Sequence, residues 1–139
     1  MKTFPLLSIF LLSLSALCFA EELNSTTKTI DDVNPRLTDL NPNAWKELSM
    51  KEIFSDLQKA DGIFSSFICD EIATRLTEKS LNTLKEIEDQ NIERESRINA
   101  FNVCLSPEER DPTKVLKAIA PYKKKFPQLC NEIHNATKK

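Results

Sequence analysis

Glycine is all but missing from this chain: Gly62 is the only one among 139 residues. Sheet proteins with many tight turns use glycine wherever φ is positive, so a β-rich fold has almost no turn residues to draw on here. The same shortage excludes a glycine-rich phosphate loop and the calcium loop that needs glycine at its sixth position. Histidine is nearly as scarce. His134 stands alone, which removes Ser-His-Asp and Cys-His catalytic sets and multi-histidine metal sites. Valine occurs only at Val33, Val103 and Val115, and no Cys-x-x-Cys pair is present to bind zinc or run thiol redox chemistry. Adjacent acids occur at Glu21-Glu22, Asp31-Asp32 and Glu108-Glu109, but no spacing sets two carboxylates across a cleft. The composition therefore points away from an enzyme and implies neither a cofactor nor a metal.

What the chain does contain is led by an apolar run from Phe4 to Ala20, preceded by Lys2 and ending in Cys18-Phe19-Ala20. A basic start, an apolar middle and a small-residue end make residues 1–20 a secretory signal peptide, cleaved after Ala20. The run is interrupted by Pro5 and three serines and falls short of the roughly 20 apolar residues of a membrane span. No comparable run follows, so no membrane span is expected in the mature protein. Cleavage leaves 119 residues, enough for one domain with a real core. Residues 21–42 are polar and lack periodicity, and read as a disordered N-terminal arm. Within them Asn24-Ser25-Thr26 is a glycosylation sequon, and Asn135-Ala136-Thr137 is a second near a frayed tail of residues 136–139.

The chain is organised around Ile63 to Cys104. Phe64, Ile68, Ile72 and Leu76 recur every four residues, with Phe67 beside them and Ile98 and Phe101 further on. That is the period of a helix with a buried stripe. A helix from Ala44 to Ala60, capped by Asn43, precedes it with Trp45, Leu48, Ile53, Phe54 and Leu57 inward, and Asp61-Gly62 ends it. The central helix is expected to run from Ile63 to about Glu88 and to turn at Asp89-Gln90-Asn91, with a corner near Ser80-Leu81-Asn82 as the alternative. A third helix returns from Ile92 to Cys104. Ser106-Pro107-Glu108-Glu109 and Asp111-Pro112 read as helix starts, followed by helices over 112–120 and 127–135 separated by Pro121 and Pro127.

The mature chain keeps three cysteines, Cys69, Cys104 and Cys130. In an oxidising compartment two pair and one is left over. A turn near residue 88 would bring Cys69 and Cys104 level across a hairpin, which favours that bridge among the three pairings. The third thiol is then either buried or the link of a covalent dimer. Charge is uneven as well: from Pro112 onward there are seven lysines against one acid, Glu132, while the rest of the mature chain carries about nine surplus negative charges. Lys123-Lys124-Lys125 is the sharpest cluster, a solvated face or a grip for an anionic partner. Flanking aromatics are too few for a nucleic-acid platform, so nucleic acid is not expected as a partner.

These readings give an all-α fold, a small bundle of four to five helices over residues 43–135 with one disulfide. Small secreted helical carriers such as the insect odorant-binding proteins have a similar length and helix content. Their Cys-x-x-x-Cys pair is absent here, and saposin-like proteins need six cysteines, so the likeness stops at class. The expected function is extracellular and non-enzymatic, through a protein-recognition surface. The alternative is a carrier whose apolar groove, lined by Trp45, Phe64, Phe67, Ile68, Ile72 and Phe101, takes a lipid-like ligand.

Overall fold

The computed structural model describes residues 34–108 and 110–138. The expected signal peptide (residues 1–20), residues 21–33 of the expected arm and the Asn24 sequon lie outside the described residues. Among the described residues the fold is all-α, with six α-helices and no strand. They are α1 (Met50–Leu57), α2 (Gly62–Glu78), α3 (Ser80–Asp89), α4 (Arg94–Cys104), α5 (Thr113–Ile119) and α6 (Pro127–Ala136), with 3₁₀ turns at Pro35–Leu37 and Ala120–Tyr122. α2 is the hub, packing against α1, α3, α4 and α5, while α6 closes the bundle against α4 and α5. Cys69 on α2 is bridged to Cys104 on α4, their Cα atoms 4.6 Å apart.

The first helix is shorter than its apolar pattern suggests. Residues 41–48 form successive tight turns, with Ala44 N–H bonding to Asn41 C=O and Leu48 N–H to Trp45 C=O. The helix proper starts after Ser49, not after Asn43. The Ser49 hydroxyl accepts from the Glu52 N–H, and the Glu52 carboxylate accepts from the Ser49 N–H, a reciprocal cap. Those bonds hold the Glu52 carboxyl below its ordinary range. Carbonyls of this irregular stretch are gathered by Arg75 from α2. Its guanidinium donates to the carbonyls of Leu48 at 2.7 Å, Trp45 at 2.9 Å and Lys46 at 2.7 Å, and pairs with Glu71 at 2.7 Å.

The central helix is two helices. The chain breaks at Lys79 (φ −129°, ψ 34°), next to the alternative corner rather than running through to Glu88. Two hydroxyls make the break tolerable. Thr83, itself buried, donates to the carbonyls of Arg75 and Lys79, and Ser80 donates to that of Thr77. The second corner falls where expected: Asn91 adopts φ 47°, the left-handed geometry that ends a helix, as asparagine tolerates. Gly62 also has positive φ, and a Cβ there would meet nothing within 4 Å. Its requirement for glycine is thus conformational rather than steric. Ser106-Pro107 starts no helix. Arg110 N–H bonds back to Ser106 C=O in a turn, and α5 begins at Thr113, where Asp111 accepts from the Thr113 N–H.

Trp45, Met50, Ile53, Phe54, Ile68, Ile72, Leu76, Leu84, Ile87, Phe101 and Ile133 are fully buried and form one core. Phe54 meets Phe101 edge to face at 5.8 Å between ring centres. Residues 34–42, expected to belong to the arm, include the 3₁₀ turn Pro35–Leu37 and fall in the same unit as the helices.

Candidate functional site

Two buried carboxylates fasten the bundle, and sequence reasoning missed both. Asp56 on α1 is 3 % exposed. It accepts from Asn34 Nδ2 at 2.6 Å, Arg36 Nε at 2.8 Å and the Trp45 indole at 3.1 Å. This ties residues 34–37 to the core and keeps the Arg36 guanidinium protonated above its ordinary range. Glu132 on α6 is 8 % exposed and accepts from Arg97 through two bonds of 3.1 Å, from Gln128 at 3.1 Å, and pairs with Arg94 at 3.4 Å. Arg97 also donates to the Ile92 carbonyl at 2.6 Å, locking the start of α4 to α6. A clue was present in each case: Asp56 and Glu132 lie within one helical turn of apolar residues, but an acid in that position reads equally as the edge of a solvated face.

The residues expected to line an apolar groove form the core instead. Trp45, Ile68, Ile72 and Phe101 have no exposed surface, and Phe64 and Phe67 are half-buried against them. None of the six lines the depressions described below or the three others beside α1, α2, α3 and α4. The reason is simple close packing: the four helices that contact the buried side of α2 fill the space a ligand would need.

A depression of about 490 Å³ runs between α2 and the 105–115 segment. Asp70, Thr74 and Thr77 form one wall, and Leu105, Arg110, Pro112 and Val115 the other. Arg110 spans it, donating to Asp70 at 2.7 Å and to the Ser66 carbonyl at 3.1 Å. On the same outward side of α2, one and two turns earlier, lie Phe67 and Ile63. Ile63 is 52 % exposed, and Val103, beside the bridge, is 51 % exposed.

Lys123, Lys124 and Lys125 are exposed on the turn leading into α6. Lys123 shares a depression of about 260 Å³ with Leu116, Ile119, Cys130, Asn131 and His134. Cys130 is buried and unbridged, its sulfur 3.9 Å from the Ile119 carbonyl; burial pushes its thiol up, against the pull of Lys123. His134 and Asn135 are exposed on α6, and the Thr137 hydroxyl of the second sequon donates to the His134 carbonyl at 2.8 Å. Among the described residues no group of three or more histidine, cysteine or acidic side chains is placed to hold a metal, and no helix is long and apolar enough to cross a membrane. Comparison of the chain with protein families, curated proteins and solved structures finds no match.

Proposed function

We propose that this is a secreted, non-enzymatic binding protein that recognises a partner protein through the outward face of α2 at its bridged end. The observation that carries the reading is apolar exposure where the core does not need it. Ile63 at the start of α2 is 52 % exposed and Val103, the residue before the bridged Cys104, is 51 % exposed, while Phe67, one turn on from Ile63, is half-buried against the core. The depression lined by Asp70, Thr74 and Arg110 extends the same face, giving an apolar patch with a polar margin, the usual anatomy of an interface. The bridge suits an oxidising, extracellular setting. A carrier role would need room that Trp45, Ile68, Ile72 and Phe101 themselves fill.

The test places a photo-reactive side chain at Ile63, and in a second variant at Leu81, an exposed apolar residue on α3. Each is exposed to extracellular fluid of the source tissue, alongside native mass spectra of the secreted protein. A protein adduct specific to the Ile63 variant, with no co-purifying lipid, is the expected result. Equal labelling from both positions, or stoichiometric bound fatty acid, would overturn the proposal; the second outcome would favour the carrier.

A further inference from the structure

The C-terminal segment has a charge arrangement that the recognition face does not use. Its single acid, Glu132, points inward and is neutralised by Arg97 and Arg94, so it cancels nothing on the surface. Among the described residues the lysines of the segment, by contrast, form no ion pair. Lys114, Lys117, Lys123, Lys124, Lys125 and Lys138 are all exposed, and every ion pair among the described residues is made by an arginine. On α5, Lys114 and Lys117 lie one turn apart, opposite the buried Val115 and Ile119. The triplet is fixed in place. Lys125 N–H and Phe126 N–H both bond to Tyr122 C=O at 2.9 Å, and buried Phe126 anchors the turn from below.

We infer that the α5–α6 side of the molecule is a binding face for a linear sulfated polysaccharide. Apart from Asp111, which lies near Lys114 and Lys117, the charges of this side are lysines, hydrated point charges that suit a flexible polyanion better than planar bidentate recognition. A membrane surface would need apolar anchors beside the charge, yet the large exposed apolar residues are Leu40, Ile63, Leu81 and Val103, none of them on this segment. Nucleic acid would need stacking aromatics, and here Phe126 is buried and Tyr122 half-buried. The acidic remainder of the molecule orients it, presenting this side to a polyanion and turning the other away. The inference stands apart from the α2 face and shares with it only the extracellular setting.

The test is binding of a fluorescent heparin oligosaccharide at several salt concentrations, to the wild type and to two triple variants. One is Lys123→Gln/Lys124→Gln/Lys125→Gln. The other is Lys46→Gln/Lys51→Gln/Lys59→Gln, which removes the same net charge from exposed lysines at the α1 end. The first variant is expected to bind at least about tenfold more weakly, and the slope of log affinity against log salt to fall in magnitude by about 2, as lost counterion release requires. The second should stay within about threefold of wild type, because screening confines each charge to its own neighbourhood. No wild-type binding at physiological salt, or equal losses in both variants, would overturn the inference. So would tighter binding to phosphatidylserine vesicles or to single-stranded DNA than to heparin.

Discussion

Replacing Asp56 by alanine should destabilise the protein by about 3 kcal/mol, and the figure can be assembled from its partners. The Trp45 indole N–H, 3.1 Å from the carboxylate and fully buried, would lose its acceptor, which costs about 1–3 kcal/mol. The Arg36 pair adds less. Its side chain is 35 % exposed and can return to water, so its share is held to about 1 kcal/mol or below. Asn34 loses one short bond but gains solvent. Asp56→Asn retains an acceptor for the indole and gives up only the charge, so its cost should be nearer 1 kcal/mol. Urea unfolding of the disulfide-intact protein, followed by the fluorescence of Trp45, the only tryptophan, reads both. A second readout separates anchoring from general stability. Trypsin should cleave after Arg36 much faster in Asp56→Ala under native conditions, because residues 34–37 lose their tie to α1. An alanine variant within about 0.5 kcal/mol of wild type, or unchanged cleavage after Arg36, would refute the hub.

Glu132→Leu alone should cost about 3–5 kcal/mol, since Arg97, only 12 % exposed, keeps its charge without a partner; adding Arg97→Leu should recover part of that loss, as a double-mutant cycle by urea unfolding would show. The Cys69→Ala/Cys104→Ala variant frees a loop of 35 residues and should lose about 4 kcal/mol of chain-entropy stabilisation, seen as a lower urea midpoint. Cys130 should resist an aromatic disulfide reagent in the native protein and react at once in denaturant. Its folded thiol holds its proton more tightly than the unfolded one. The associated stability is therefore complete below the unfolded pKa of about 8.5 and is lost as pH rises through the higher folded value, so the urea midpoint should fall from pH 8 to pH 10 more in wild type than in Cys130→Ala.

The near absence of glycine, the four-residue recurrence of Phe64, Ile68, Ile72 and Leu76, and the placement of three cysteines made the all-α class and the Cys69–Cys104 bridge legible before any coordinates. Helix periodicity is local, and a bridge between two helices of a hairpin follows from where the chain turns. The turn itself was readable at Asn91, a residue suited to positive φ. Other boundaries were less so. At Lys79 the apolar pattern runs on, and the break is tied together by side chains: the Thr83 hydroxyl donates to the Arg75 and Lys79 carbonyls, which also accept from backbone N–H groups, and the Ser80 hydroxyl donates to that of Thr77. At Ser49 the reciprocal cap with Glu52 outcompeted the longer apolar stripe that begins at Trp45. Tertiary structure alone decided the roles of the charged and aromatic residues. A period shows which side of a helix is apolar, but not whether other helices will close over it. So Trp45, Ile72 and Phe101 became core rather than groove, and Asp56, Arg75 and Glu132, each an ordinary polar residue in the sequence, became the fasteners. Burial is a property of the assembled bundle, and the strength of a hydrogen-bonded charge depends on the water excluded around it. Neither quantity is carried by one segment.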